Sequence, residues 1–411
     1  MNGENKSFLA EKLNNKGFKV VDLLKGAGHA TIFRVKEAYN PSGAAYVAKV
    51  ISLDGLDPKG RASALQEVSL LKGLVAHPNL IGFRESFVEE EILLYMIMSL
   101  AEDGDLRHVV TESQASKRII PEPVVLTWVR QTLLGLSHLH AQAVVHRDLK
   151  TSNIFLCDHH RRILIGDFGI SKVLESTAFA SSCVGTPAYM SPELMRNERY
   201  DYHVDMWALG CIIFELCTLH LPFVAQSLLD LACKIMEQHP AWSLWMGYTE
   251  ELRHVAQCLL CKDATIRPSA TELLSDGLFS EGGLGALEPP EEAWAAVTQV
   301  TEGTFDSPTK NHEDPMSQLT TAVTKESMSS NDGTWTTTPR KPWESGSQGC
   351  DTASLGGTGS TMDSELQRAR EMPLTQKEDF AQLLSTHSEQ FLQQHRGLGP
   401  VSNSAVDVSV V

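Results

Sequence analysis

A chain of 411 residues with 42% hydrophobic side chains can build two ordinary domains, or one large domain with an extended tail. Its 35 basic and 51 acidic side chains leave a formal net charge of −16, which argues against a nucleic-acid binder and disfavours adsorption to anionic membranes. No apolar run reaches the ~18 residues of a membrane span, and the eight cysteines, in a chain without an export signal, are expected to be reduced thiols.

The start, MNGENKSFLAEKLNNKGFKV, lacks the apolar core of a secretory signal, and Met-Asn excludes ordinary N-myristoylation. Cytoplasm, or an attached cytoskeletal compartment, is the expected location. Residues 1–17 read as an N-terminal extension. From 18 to 98, strand patterns dominate: FKVVDLL, TIFRVKEAY, AYVAKVISL, LIGFRESFV and ILLYMIM, with one helical stretch, GRASALQEVSLLKGLV, among them. Between the first two strands, LLKGAGHATIFRVKE carries Gly26 and Gly28, whose backbone freedom suits a turn that approaches phosphates closely. Many hairpins also hold two such glycines. The strand pattern after them excludes a dinucleotide fingerprint, which needs a helix there. Lys49 stands in the apolar strand YVAKVI, where a buried ammonium needs a partner.

From Pro121 the pattern turns helical, beginning with VVLTWVRQTLLGLSHLHAQ. A small sheet-rich lobe joined to a larger helical one is an α+β arrangement with a cleft between the lobes. Cys258 and Cys261 have CxxC spacing, but a zinc site needs a second pair or histidines at ligand spacing. VAQCLLCKD reads instead as an amphipathic helix with core thiols. Composition shifts near residue 280. About −11 of the −16 charge follows it, in text such as GSQGCDTASLGGTGSTMDS, which cannot bury enough apolar surface to offset its ordering entropy. The tail is expected to be mostly disordered. A short helix fits 376–395, where Phe380, Leu383, Leu384, Phe391 and Leu392 fall near helical spacing, and it would dock on the globular part or on a partner.

The most specific stretch is VVHRDLKTSNIFL, residues 144–156, followed by DFG at Asp167, Phe168 and Gly169. A chance match to its six determining positions is on the order of one in 10⁷ at average composition. From about Phe18 to Phe279 the chain resembles the eukaryotic protein kinases. HRDLKTSNIFL, VGTPAYMSPEL and LQEVSLLKGLVAHPNLIGFRESF are most similar to the NIMA-related serine/threonine kinases. The resemblance implies a bilobal protein-kinase fold: a β-rich N-lobe at about 18–98, a helical C-lobe at about 102–279, and a regulatory tail at 280–411. It also implies transfer of the γ-phosphoryl of ATP, with Mg²⁺ or in its place Mn²⁺, to serine or threonine hydroxyls of protein substrates.

Carried over position by position, the resemblance makes Asp148 the group that receives or orients the substrate hydroxyl proton and Lys150 a cation near the γ-phosphate. Asn153 and Asp167 become the metal ligands. Lys49 would hold the α- and β-phosphates while paired with Glu67. Gly26 and Gly28 are the first two lid glycines, and the third falls on Thr31, which is expected to alter lid flexibility and retune ATP affinity. Phe33 takes the place of a valine that contacts adenine. Met98 is the gatekeeper, with Ser99, Leu100 and Ala101 running past the adenine. Asp105 either faces the ribose hydroxyls or caps the helix that starts at Leu106.

In the activation segment, Asp167 to Glu193, Thr186 would bridge Asp148 and Lys150, and Ala188 stands where relatives often have an aromatic. Glu193 and Arg267 would form a buried ion pair, and Asp205 would hold the catalytic-loop backbone, cap its own helix, or both. Ser182 takes the place of an activating phosphosite, with Arg147 as its basic partner, so an upstream kinase or autophosphorylation is implied. In the tail, SPTK at Ser307 and TPRK at Thr338 resemble the consensus of cyclin-dependent kinases, and a regulatory protein is an expected partner. The resemblance extends the expected location to centrosome or cilium. The rival reading is a pseudokinase scaffold that binds ATP and regulates a partner. Thr31, Phe33 and Ala188 favour it; the presence of every charge-bearing group counts against it.

Overall fold

The structure, a computed structural model, describes residues 3–25, 30–54, 58–90, 92–167, 186–196, 198–275 and 277–301, with the side chains of Glu67 and Thr186 outside that description. It opens with helix α1, Gly3–Asn15, followed by strands β1, Phe18–Lys25, β2, Ala30–Glu37, and β3, Ala45–Ser52. Helix α2, Pro58–Gly73, precedes β4, Phe83–Glu89, and β5, Leu93–Ser99. The five strands form one antiparallel sheet in the order β1-β2-β3-β5-β4. Directly paired residues of an antiparallel ladder share a face, so register decides what each side chain meets.

One face carries Ile51, Leu94 and Met96 and packs against Val68 and Leu71 of α2. The other carries Phe18, Phe33, Val35, Ala48 and Val50, and α1 covers it with Leu9 and Leu13. Lys12 of α1 pairs with Glu90 at 2.8 Å, and Lys16 just past its end pairs with Glu89 at 3.3 Å. The segment read as an N-terminal extension is thus packed onto the sheet.

The second lobe is helical: α3, Leu106–Ser116, α4, Glu122–Ala141, the hairpin β6, Ile154–Cys157, and β7, Arg162–Ile165, then α5, Pro192–Met195, and α6, His203–Thr218. Helices α7, Leu228–Glu237, α8, Glu250–Leu259, and α9, Ala270–Leu274, follow. Ser269 and Glu272 close a capping box at the start of α9. All but the first residue of α6 is buried, as expected of a helix apolar on every side.

The packed elements run past the composition break near 280. Helix α10, Glu291–Thr301, buries Trp294 with its ring centroid 6.4 Å from that of Trp128 on α4. Arg161 pairs with Glu288 at 3.2 Å and with Glu291 at 2.6 Å, holding α10 against the β6–β7 turn. Among the described residues, no helix is long and apolar enough to cross a membrane.

The two lobes meet where the loop after α2 is sewn onto the second lobe. Ile165 N–H donates to Asn79 O at 2.9 Å, and Ile81 N–H donates to Ile165 O at 2.8 Å. The stretch from Asn79 to Ile81 therefore pins the first lobe beside the end of β7, where Asp167 follows. A Cβ on Gly166 would lie 2.5 Å from Ile81 Cγ1, so only glycine lets the two lobes approach here.

Candidate functional site

The β6–β7 hairpin brings the motif residues together. Ile154 pairs with Ile165, and Gly166 N–H donates to Asn153 O at 3.0 Å, so Asn153 and Asp167 stand at the same end of the ladder. Asn153 Nδ2 donates to Asp148 O at 2.7 Å and to Asp148 Oδ2 at 3.1 Å. Lys150 Nζ donates to the same Oδ2 at 2.9 Å. The Asp148 carboxylate, almost fully buried, is thereby oriented by two neighbours five residues apart at most. Because the Asn153 amide N–H groups serve Asp148, its side-chain oxygen remains for a cation. An amide oxygen with the Asp167 carboxylate is a hard donor set of the kind Mg²⁺ takes together with phosphate oxygens and water, so these residues fit such an ion.

Lys49 projects from β3, only 6% exposed, and its Nζ lies 2.5 Å from Asp167 Oδ1. A buried ammonium is matched by a carboxylate, as the apolar setting of YVAKVI requires. The expected partner, Glu67, lies on α2, but its side chain is outside the described residues.

The loop before Asp148 is held by a buried carboxylate. Asp205, at the third position of α6, accepts His146 N–H at Oδ2 and Arg147 N–H at Oδ1, both at 2.8 Å. His140 Nε2 adds a contact to Oδ2 at 2.9 Å. Burial alone pushes the Asp205 carboxyl up; the His140 hydrogen bond and the surrounding donors and charges outweigh it and hold the group below the usual carboxylate value. Arg147 has φ 68, in the left-handed region, so its conformation depends on those bonds. Of the two readings of Asp205, the structure shows the loop clamp; no side-chain cap of α6 is present, its N-cap being Tyr202.

His146 is 1% exposed and bridges loop and hairpin. Asp148 N–H donates to its Nδ1 at 3.3 Å, and its Nε2 meets Gly166 O at 3.0 Å. Burial pushes the imidazole down, towards the neutral form that this pattern of one acceptor and one donor nitrogen needs. Arg147 places its guanidinium 5.7 Å from the Tyr200 ring. Ser182, its expected phosphorylated partner, lies outside the described residues, as do Gly26, Gly28, Ser307, Thr338 and the stretch 376–395.

Two readings of the glycine turn are corrected. Thr31 is inside β2, 1% exposed, directly opposite Val50. Phe33 pairs with Ala48 and is buried against Leu9 and Leu13 of α1. Lys49 pairs with Ile32 and with Met96, so Ile32 shares the lysine's face while Thr31 and Phe33 turn to the opposite one. Phe33 therefore does not stand over an adenine below Lys49. Ile32 takes that side, one residue earlier than the glycine spacing suggests.

Met98 pairs with Val47, which places it on the Lys49 face. Ser99 is more than a substitute for an acid. Its N–H donates to Gly82 O at 2.8 Å and its Oγ accepts Gly82 N–H at 2.7 Å, tying the end of β5 to the start of β4. Leu100 and Ala101 follow directly, before Asp103 N–H donates to Leu156 O at 3.0 Å. Asp105 caps α3, its Oδ1 accepting His108 N–H at 2.8 Å, and burial pushes its carboxyl up. The capping reading is the one the structure shows.

Glu193 and Arg267 form a bidentate pair, with oxygen–nitrogen distances of 2.6 and 2.7 Å. Burial pushes Glu193 up, but the guanidinium overrides it and holds the carboxyl below its usual value. Breaking such a buried pair by removing one partner costs about 3–5 kcal/mol. Thr186 opens the 3-10 turn Thr186–Tyr189, and Ala188 within that turn is buried in the main core.

Sequence reasoning missed one buried network. Tyr189 OH donates to Glu215 Oε2 and lies 3.0 Å from Thr151 Oγ1, while Arg107 Nη1 donates to Glu215 Oε1 at 2.8 Å. The signal was present: Glu215 is a lone acid in the apolar run CIIFEL, and a buried acid needs partners. Cys258 and Cys261 are only partly buried, Cys258 Sγ lying 3.5 Å from His254 Nε2, and no cluster of three or more His, Cys, Asp or Glu side chains placed to hold a metal ion occurs among the described residues.

Residues 24–279 match the family described as "Protein kinase domain". The chain is similar to Serine/threonine-protein kinase Nek3 of Mus musculus, 38% identical over 220 residues that cover 53% of this chain and 42% of the relative. It is similar to Serine/threonine-protein kinase Nek1 of Mus musculus, 36% identical over 241 residues, 58% of this chain and 20% of the relative. Serine/threonine-protein kinase Nek11 of Homo sapiens is 36% identical over 229 residues, 56% of this chain and 35% of that protein. The chain spans less than half the length of each of these relatives.

Proposed function

Because the chain belongs to the protein kinase family, and its kinase domain is of the NIMA-related type, we propose that it transfers the γ-phosphoryl group of ATP to serine or threonine hydroxyls of protein substrates. The observation that carries this reading is the Asp148 carboxylate held by both Lys150 and Asn153, beside the Lys49–Asp167 pair.

Phosphoryl transfer asks the protein for positioning and charge stabilisation more than for covalent chemistry. Asp148 accepts the hydrogen bond of the acceptor hydroxyl and aligns its oxygen with the phosphorus. Lys150, already at Asp148, supplies a cation where charge gathers on the transferring group. Lys49 steadies the remaining phosphates from the sheet side. Asn153 and Asp167 would hold a divalent cation, which when bound neutralises phosphate charge; Mg²⁺ is the ion proposed, with Mn²⁺ as a substitute. Ser99, Leu100 and Ala101 offer backbone groups to the adenine edge.

A scaffold without catalysis is not favoured. Each charged group the reaction uses is present, and the relatives carry the name of serine/threonine kinases. Phosphorylation at Ser182, by the chain itself or an upstream kinase, is proposed as the activating event, with Arg147 receiving the phosphate. The segment after Thr301 is proposed to bind a regulatory protein, and the working place to be the cytoplasm, with centrosome or cilium suggested by the relatives' family.

Incubation with labelled ATP, Mg²⁺ and a generic protein acceptor, followed by phosphoamino-acid analysis, tests the reading. Labelled phosphoserine or phosphothreonine is expected. Label confined to phosphotyrosine, or no label in acceptor or enzyme after prior phosphorylation of Ser182, would overturn it.

A further inference from the structure

The CxxC pair Cys258–Cys261 takes no part in phosphotransfer. Cys258 lies in the last turn of α8 and Cys261 just past its end, its N–H donating to Cys258 O at 3.3 Å. A bond across three residues closes a 3-10-type turn, in which side chains three apart fall on one face. His254, four residues before Cys258, shares that face, its Nε2 3.5 Å from Cys258 Sγ. Both thiols are partly exposed, whereas Cys157, Cys211 and Cys217 are buried, and burial pushes those three up, away from the reactive thiolate. The turn is also tied to a distant contact. Cys261 O accepts Arg267 Nε at 2.9 Å, and the same guanidinium grips Glu193, at the end of the activation segment, through both of its other nitrogens.

From this arrangement we propose that Cys258 and Cys261 are a redox modification site: hydrogen peroxide converts them to a disulfide, and the bridge loosens the Glu193–Arg267 latch of the activation segment. Its effect on phosphate transfer rests on the kinase reading; formation of the bridge does not. His254 Nε2, in the tautomer with its proton on Nδ1, takes the Cys258 thiol proton. The thiolate attacks a peroxide oxygen, the O–O bond breaks, and the departing hydroxide takes that proton and leaves as water, giving the Cys258 sulfenic acid. The Cys261 thiol then attacks the Cys258 sulfur. An S–S bond forms, the S–O bond breaks, and hydroxide leaves as water with the Cys261 proton. The two thiols lose two electrons and the peroxide gains them. A disulfide needs its Cβ atoms about 3.5–4.5 Å apart, whereas side chains three apart on a helix stand about 5–6 Å apart, so the turn has to tighten by about 1 Å. Cys258 is held within α8, and the displacement therefore falls on Cys261, whose carbonyl turns away from Arg267. A buried guanidinium that loses one acceptor re-seats, and its fork no longer matches the Glu193 carboxylate.

The test uses the full chain, reduced and then treated with hydrogen peroxide, with the remaining thiols alkylated before digestion. The expected product is a peptide with both cysteines unalkylated, lighter by two hydrogen atoms, which dithiothreitol converts back. Amide exchange across α5, Pro192–Met195, should quicken on oxidation. Phosphate transfer should fall by about tenfold, the size of one lost hydrogen bond to a charged group, and both changes should revert on reduction. Cys258→Ser and Cys261→Ser should each keep the exchange and activity of the reduced chain and block the response to peroxide. Four results would overturn the proposal: a Cys258 sulfenic acid or alkylated thiols without a bridge, a bridge from either residue to another cysteine, unchanged exchange across α5 in the bridged protein, or a peroxide response that persists in the serine variants. Bridge and exchange are read without catalysis, so absence of transfer by the reduced chain would count against the kinase reading alone.

Discussion

Asp205 shows how much one side chain can determine: its two oxygens take the N–H groups of His146 and Arg147, and so set the backbone from which Asp148 projects. Such residues were legible because the motif is dense in special chemistry. Thr31 and Phe33 were not, because in a strand a slip of one residue moves a side chain to the other face. Counting glycines across a turn cannot reveal that slip. Glu215 could have been found from its apolar setting alone. A pH prediction belongs at this scale. Burial pushes His77, His146 and His160 down, so near the ordinary histidine value of about 6.5 the unfolded chain takes protons that the folded chain refuses. Their contribution is intact above that value and is lost as pH falls below it. Glu215 and Asp105, pushed up by burial, act in the opposite sense, but nearer the ordinary carboxylate range of about 4. Denaturant unfolding at a series of pH values from about 7.5 to 5.5 should show stability falling towards acid. A flat or rising profile would contradict these burial assignments.

At the level of elements, the strands and α2 were readable from period-2 and period-3.6 patterning, whereas α1 and α10 were not. Among the described side chains of α1, Leu9 and Leu13 are the ones buried in the core, too few for a clear apolar stripe, and α10 sits in text whose composition had already turned acidic. Both are held by tertiary packing rather than by local preference. Leu13 is fully buried between α1 and the sheet, so Leu13→Ala should cost about 2–5 kcal/mol and lower the melting temperature. An unchanged melting curve would mean that α1 is not seated on β1 and β2. The same register bears on the lid. Thr31→Gly, which a missing third glycine would recommend as a repair, removes a buried side chain from the β2–β3 ladder and should lower stability by about 1 kcal/mol or more, without tightening ATP binding. Tighter nucleotide binding measured by calorimetry would instead place Thr31 over the phosphates.

Across the whole molecule, two lobes are joined where the 79–81 stretch pairs with the end of β7, and the groups that bear charge in phosphoryl transfer converge beside that junction. The bilobal α+β arrangement was legible from the change of periodicity between residues 98 and 121. What could not be read was the extent of the packed body, because α1 and α10 depend on contacts far along the chain. The central claim is that this convergence is a working phosphotransferase, and Asp148→Asn tests it most directly. Phosphate transfer from labelled ATP with Mg²⁺ should occur in the wild type and fall by at least about a hundredfold in the variant, the lower range for loss of a positioned acid–base group. Calorimetric ATP affinity should meanwhile stay within a few-fold. Equal transfer by both proteins, or nucleotide binding with no transfer by either, would contradict it.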